Sequence, residues 1–361
     1  MHYYIISGEL SGDLYGAELI KSLRKHDVNS RFTCWGGNHM KGAGVNIVRD
    51  LSKLSFVGFF EVFQNSFTIL KNYFFAKNNI KKVNPDAIIL IDYPGFNLKI
   101  AKYAKKINIP VFWFIAPQVW AWKKSRIYTM RKYIDKLFVA LPFELDYFSK
   151  EKIETYYFGH PLVDIVSRVN YNNKPQLGKP IIALMPGSRC QEIKTMLPVM
   201  LSVISYFSNY RFVIICASGV SRSFYEDLVS GYDVELKFDK SIFASLEAAV
   251  VASGTATLEL AIYNIPQLVC YKLNPLSYYI ARWLAKIKYI SLVNILLNKP
   301  ALKELIQYDF NVRNIKNELS KLLNIDNKKK IIRDYNQVKL QLGKPGCFEK
   351  ISKLIYTDLI K

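Results

Sequence analysis

Ile88-Ile-Leu-Ile-Asp92-Tyr-Pro-Gly-Phe-Asn97 is an unbroken apolar run that stops at an aspartate and turns at once through Pro94 and Gly95. A run this short with no polar face reads as a strand covered on both sides in a parallel sheet. The same grammar recurs at 3–6, 111–115, 137–140, 181–185, 212–216, 249–251 and 267–270. These apolar runs end in Gly, Ser, Asp or Pro and alternate with longer amphipathic stretches, which predicts an α/β protein with helices on both faces of its sheets. The polar stretch 170–180, broken by Pro175, Gly178 and Pro180, parts the runs into two groups, and 361 residues exceed what one core usually organises. Two Rossmann-like domains facing a central cleft are expected. The first takes residues 1–170 and is completed by a C-terminal helix at 347–361, after the break Gly343-Lys-Pro-Gly346; the second takes 180–342.

Fifty Lys and Arg stand against 29 Asp and Glu, and the net charge of +21 calls for an anionic partner: nucleic acid, a phospholipid surface or a phosphorylated substrate. Basic residues are interleaved with aromatics at 67–77 and 278–288, in stretches too short and too charged to span a bilayer. Each reads either as a peripheral contact with an anionic membrane or as a core helix with a solvated lysine face. No RNA-recognition, zinc-finger or helix-turn-helix pattern occurs, so nucleic acid is not the expected partner. Met1-His-Tyr-Tyr-Ile-Ile-Ser-Gly8 has none of the regions of a leader peptide, which sets the expectation of a cytoplasmic protein. Five scattered cysteines suit a reducing compartment, and four histidines without ligand spacing predict no metal site; no cofactor is expected either.

In open α/β sheets ligands bind beyond the carboxyl ends of the strands, so the loops after each apolar run carry the candidates. Gly8-Glu-Leu-Ser-Gly-Asp13 opens a helix and sets two carboxylates where a phosphate would otherwise sit, which favours sugar hydroxyls. Ser11 or Asp13 as a simple helix cap is the other reading. Asp92, at the end of its apolar strand, is partly desolvated; a raised pKa would make it a better proton acceptor, and a structural aspartate bonded to the next turn is the alternative. Ala116-Pro-Gln-Val-Trp-Ala-Trp122 offers indole planes to a sugar or an acyl chain, or packs them on a helix. Later loops differ in charge. Pro186-Gly-Ser-Arg189 supplies backbone N–H groups and a guanidinium, with Glu192 pointing one turn further along. Ser253-Gly-Thr-Ala-Thr-Leu-Glu259 starts a helix with small residues fit for a pyrophosphate, and Glu259 is spaced to meet a ribose diol. The expected division of labour gives an acceptor sugar to the first domain and a nucleotide diphosphate to the second. No Asp-x-Asp metal motif follows an apolar strand, so Arg189, a helix N-terminus and hydroxyls would stabilise the leaving group.

Taken together in order, these motifs resemble the lipid-A-disaccharide synthase family of inverting glycosyltransferases. The likeness rests on Gly8-Glu-Leu-Ser-Gly-Asp13, Ile91-Asp-Tyr-Pro-Gly-Phe-Asn97, Pro117-Gln-Val-Trp-Ala-Trp122, Leu141-Pro-Phe-Glu144, Gly159-His-Pro-Leu162, Pro186-Gly-Ser-Arg189, Ser253-Gly-Thr-Ala-Thr-Leu-Glu259, Ser291-Leu-Val-Asn294 and Glu304-Leu-Ile-Gln307. The resemblance implies a GT-B fold, UDP-2,3-diacylglucosamine as donor, 2,3-diacylglucosamine 1-phosphate as acceptor and a β-1′,6-linked product, made without a metal. It implies Asp92 as the base, with Glu9 and Asp13 beside it. Arg189, Ser253, Gly254, Thr255, Glu259, Asn294 and Gln307 then handle the UDP-sugar, while Ser11, Asn97, Gln118, Trp120 and Phe74 contact acceptor or lipid. Leu10, Tyr15 and Val293 depart from the commoner family residues, and Gly95 stands where some relatives carry a second aspartate. Acylated substrates imply work on the inner face of the cytoplasmic membrane, with residues 56–75 as the contact. A UDP-N-acetylglucosamine 2-epimerase of similar architecture, a non-catalytic lipid-binding protein and an RNA-binding protein are the competing readings.

Overall fold

A computed structural model of the protein describes residues 1–51, 66–168, 178–284 and 287–361. The chain divides into two compact units, one built from Met1–Asp164 and Leu342–Lys361, the other from Ile165–Trp283 and Ile287–Gln341. Most of the polar stretch 170–180, and the first ten residues of the 56–75 segment, lie outside the described residues.

Among the described residues the first unit holds seven strands: β1 (His2–Ser7), β2 (Arg31–Gly36), β3 (Asn46–Asp50), β4 (Ala87–Ile91), β5 (Val111–Phe114), β6 (Lys136–Val139) and β7 (Thr155–Tyr157). They form one parallel sheet in the order β3-β2-β1-β4-β5-β6-β7. The second unit holds β8 (Ile181–Met185), β9 (Arg211–Ile215), β10 (Glu235–Lys237), β11 (Leu246–Ala252), β12 (Gln267–Tyr271) and β13 (Glu304–Ile306), parallel and in the order β10-β9-β8-β11-β12-β13. Both orders are of the doubly wound kind, in which the chain starts mid-sheet and winds outward in two directions. The strand order therefore reverses beside β1 and β4 in one unit and beside β8 and β11 in the other, and a crevice opens beyond their carboxyl ends. All eight strands expected from apolar runs are present. The apolar pattern does not single out β2, β3, β7, β10 and β13.

The central strands are apolar throughout because both faces are covered: every residue of β4 and of β8 is buried. Where β1 carries tyrosine, the hydroxyl is provided for. Tyr4 donates to Asn79 Oδ1 at 2.8 Å and accepts from the Trp35 indole at 2.8 Å, so two large rings lie in the core without an orphan polar atom. The last helix, Cys347–Leu359, packs on the first, Leu10–His26, through the Ser22 and Ser352 hydroxyls at 2.8 Å and through Phe348 against Tyr15, and Phe348 also meets Phe114 at the end of β5. The helix Ser66–Val83 buries Ala76 and Ile80 and leaves Phe67, Leu70 and Phe74 exposed.

Candidate active site

At the first reversal point the loop after β1 meets the loop after β4. Gly8 lies under the ring of Tyr93 so closely that a Cβ there would come within 2.3 Å of the ring, which explains glycine at this position. Burial and the nearby Glu9 carboxylate raise the pKa of Tyr93, which places that acid beside the ring. Asp92 follows β4 directly; its N–H donates to the Phe114 carbonyl at 3.2 Å, extending the β4–β5 ladder by one residue. Asp92 and Tyr93 then both take left-handed backbone, at φ 47° and 51°, turning the chain into the helix Pro94–Lys106. Asn97 holds that turn from within the helix. Its amide donates to the Asp92 carbonyl at 2.8 Å, with a weaker approach to Ile91 at 3.4 Å, and the side chain is fully buried. Asn97 thus acts on the backbone that carries Asp92, while its Oδ1 is buried and takes no hydrogen bond among the described residues.

Asp13 also turns out to work on main chain. It is buried, and its carboxylate accepts from the N–H groups of Gly37 (2.7 Å), His39 (2.9 Å) and Met40 (3.2 Å), capping the short helix Asn38–Gly42 after β2. A buried carboxylate with both oxygens taken by amide donors is satisfied in place. Asp13 ties the first turn of the helix Leu10–His26 to the loop after β2. Glu9 and Ser11 are both half-buried, and Glu9 acts on Tyr93, the residue after Asp92.

Beyond β5 the tryptophan loop is anchored from one side and open on the other. The Trp120 indole donates to Glu144 Oε1 at 2.9 Å and meets Phe143 edge-on at 5.1 Å between ring centres. Glu144 Oε2 accepts from the Leu141 N–H at 3.0 Å, and burial raises this carboxyl to about 7 against the pull of those hydrogen bonds. Gln118 and Trp122 are exposed. Two cations the motifs do not include sit on the Trp122 ring: Lys123 Nζ is 4.7 Å and Arg126 Cζ 5.1 Å from its centre. Burial lowers the Arg126 pKa and the Asp92 carboxylate opposes that fall, so the guanidinium lies within the field of Asp92. Arg126 is the residue the motif reading misses; the cue available in sequence is its spacing of four from Trp122 at the start of a helix.

In the second unit, the loop after β8 carries Arg189. Glu192 folds back over this loop: it accepts from the Arg189 guanidinium at 2.8 Å and from the Ser188 N–H at 3.1 Å. The expectation that Glu192 points away is corrected. Its carboxylate engages both the guanidinium and the main chain of this loop. After β11, Ser253 donates to the Ile290 carbonyl at 2.8 Å, and a Cβ on exposed Gly254 would meet nothing within 4 Å. Thr255 begins the helix Thr255–Ile262; the Thr257 N–H is taken by the Gly254 carbonyl at 3.1 Å, and the two amides before it, at the start of the helix, have no acceptor within it. Glu259 is nearly buried and holds the Lys240 ammonium with both oxygens at 2.6 Å. Asn294 and Gln307 are buried and bonded to main chain. Asn294 exchanges bonds with Leu302 and donates to Glu304, while Gln307 exchanges bonds with Leu273 at 3.1 and 3.0 Å. Both side chains shape the loops beside β12 and β13. Two hollows, of about 630 Å³ beside β10 and about 390 Å³ beside β3, lie at sheet edges.

The arrangement provides a carboxylate at the reversal point of one sheet, and an arginine with a helix N-terminus at that of the other. The family model described as lipid-A-disaccharide synthetase matches residues 3–354. A lipid-A-disaccharide synthase of Syntrophus aciditrophicus is 36% identical over 375 residues, spanning 99% of this chain and 97% of that protein. One from Coxiella burnetii is 34% identical, spanning 98% and 97%. Among solved structures, MnaA of S. aureus in a co-structure with UDP matches with a TM-score of 0.71 over 99% of this chain and 97% of its own, at 13% identity, a likeness of fold alone. With a family model covering nearly every residue and relatives above 30% identity from end to end, this chain belongs to the lipid-A-disaccharide synthase family, glycosyltransferases of the GT-B class.

Proposed function

We propose that the chain joins UDP-2,3-diacylglucosamine to the 6-hydroxyl of 2,3-diacylglucosamine 1-phosphate, releasing UDP and forming the β-1′,6 linkage with inversion. The observation that carries this reading is the presentation of Asp92: a half-buried carboxylate at the reversal point of the first sheet, on a left-handed turn locked by Asn97. In this role Asp92 takes the proton of the acceptor hydroxyl as its oxygen attacks the anomeric carbon. The first-turn amides at Thr255 and the guanidinium of Arg189 receive the diphosphate as charge develops on it. For that, Glu192 gives up its bonds to Arg189 and Ser188 to the incoming phosphate oxygens. Glu259, now paired with Lys240, is the acid placed for the ribose diol. Among the described residues no helix is long and apolar enough to cross a membrane. Phe67, Leu70 and Phe74 lie on one helical face with Lys71 among them, and support peripheral contact with an anionic bilayer.

The test is product analysis. Purified protein with both sugars is expected to yield UDP and a disaccharide 1-phosphate by mass spectrometry. Asp92→Asn is expected to lower kcat by about 10²- to 10⁴-fold with UDP affinity retained. With substrates carried in anionic vesicles, Phe74→Glu is expected to lose vesicle binding and rate together. A free monosaccharide released without disaccharide marks an epimerase, and the absence of UDP release marks a lipid-binding protein; either overturns the proposal.

A further inference from the structure

The cations after the tryptophan loop are sorted by the fold into two sets. Lys124 and Arg131 turn to Glu151, at 3.6 and 3.0 Å. Lys123 and Arg126, close to them in sequence, turn instead to the opposite neighbour and share the ring of Trp122. Lys123 reaches it from left-handed backbone at φ 54°, a conformation uncommon outside glycine, asparagine and aspartate. Burial and the charge of Arg126 both lower the Lys123 pKa, so the two cations repel each other where they stand. The indole face attracts each of them, and a doubly charged anion between them would attract both and offset their mutual repulsion.

We infer that Lys123 and Arg126, seated together on Trp122 beside Asp92, form a phosphomonoester subsite that takes the anomeric phosphate of the acceptor sugar. The inference rests on the acceptor assigned under the proposed function. In a hexose 1-phosphate, C1 and C5 flank the ring oxygen, so the phosphate and the 6-hydroxyl leave from neighbouring corners of the sugar. A site that offers a carboxylate to the hydroxyl therefore needs cations a short step away, on the same wall. Arg126 lies within the field of Asp92, and the ring of Trp122 sets Lys123 next to it. Arg126 also separates two like charges, the base and the phosphate, which would otherwise repel each other at this spacing. Trp122, exposed at the end of the loop, supplies a flat apolar support for the sugar edge between them.

The experiment compares 2,3-diacylglucosamine 1-phosphate with its dephosphorylated counterpart as acceptors, in detergent micelles free of phospholipid. Lys123→Gln is expected to raise KM for the phosphorylated acceptor by about tenfold, the loss of one charge-assisted contact. KM for the UDP-sugar and turnover of the dephosphorylated acceptor stay within about twofold, and Lys123→Arg restores the phosphorylated acceptor. Glucosamine 1-phosphate, used as a competitive inhibitor, is expected to weaken about tenfold in Lys123→Gln, which reads the same contact without turnover. Equal losses on both acceptors, or an unchanged inhibition constant, overturn the inference. An effect seen only when anionic vesicles carry the substrates assigns the pair to bilayer phosphate and overturns it too. Wild-type protein that makes no disaccharide defeats the proposed function itself, whereas disaccharide synthesis with Lys123→Gln blind to the phosphate defeats this subsite alone.

Discussion

Three residues at the strand ends of the first sheet take left-handed backbone, which aspartate tolerates and tyrosine and isoleucine disfavour. Asp92 and Tyr93 follow β4 at φ 47° and 51°, and Ile115, a β-branched residue, follows β5 at φ 64°. Such backbone costs on the order of 1–3 kcal/mol per residue and persists where the surroundings enforce it. At Asp92 the enforcing group is Asn97, and the consequence is specific. Asn97→Ala removes a buried donor from the Asp92 carbonyl and is expected to cost about 1–3 kcal/mol in urea melts. With Asp92 as the base of the proposed function, steady-state kinetics of this variant should show kcat falling while KM for both sugars holds; a fall in stability with kcat intact would mean that the turn keeps its shape without Asn97. Sequence exposes Asp92 readily, since an acid closing an apolar run is conspicuous. The jobs of Asp13 and Asn97 are not visible there, because Asp13 serves amides at 37–40 and Asn97 serves a carbonyl behind it; such pairings exist only once the loops are folded.

Among elements, legibility follows burial. The runs at β4 and β8 are wholly covered and so wholly apolar, which is why they stand out. The edge strands β3, β7, β10 and β13 run three to five residues and are mostly only partly covered, so Glu-Leu-Lys has a mixed composition and Thr-Tyr-Tyr is too short to show a pattern. β2 is hidden differently: Arg31-Phe-Thr-Cys-Trp-Gly36 is buried from its second residue on, yet mixes polar and small residues. The helix Pro142–Lys150 shows what an element can contribute to a neighbouring loop. Its Glu144 fixes Trp120 and caps the helix start at Leu141, and its carboxyl is raised by burial to about 7 from an ordinary 4.5. The folded state therefore binds this proton more tightly than the unfolded chain. Stability from Glu144 is greatest below about pH 4.5 and declines as pH rises toward 7, by roughly 3 kcal/mol in all. Glu144→Gln has no proton to lose. Wild type should thus lose stability relative to Glu144→Gln between pH 5 and 8 in urea melts, and parallel pH profiles for the two proteins would refute the assignment.

For the whole molecule, the return of the chain to its first unit is the organising fact. Gly159-His-Pro-Leu162 makes the clasp: the His160 N–H donates to the Leu342 carbonyl at 2.9 Å, and a Cβ on Gly159, at φ 99°, would press on the Lys344 carbonyl at 3.1 Å. His160 is buried, its pKa pushed down to about 3, and its neutral ring accepts from the Leu162 N–H. Two residues on, Asp164 takes the N–H groups of Gly346, Cys347 and Phe348 at 2.7, 3.2 and 3.1 Å, capping the helix that packs on Leu10–His26. The C-terminal helix thus belongs to the unit the chain began with, and each unit closes its own core. Unfolding should be separable in the same way. Asp164→Ala strips one cap and leaves buried amide donors unmet, a loss of roughly 2–3 kcal/mol that falls on the first unit alone. UDP, held by the second unit in the proposed function, should raise the other transition by about 2.7 kcal/mol at a hundredfold excess over Kd. Calorimetry on the wild type and on Asp164→Ala, each with and without UDP, is expected to move one transition by mutation and the other by ligand. A single transition displaced by both would show that the two cores melt as one and that the clasp stabilises more than the unit it closes.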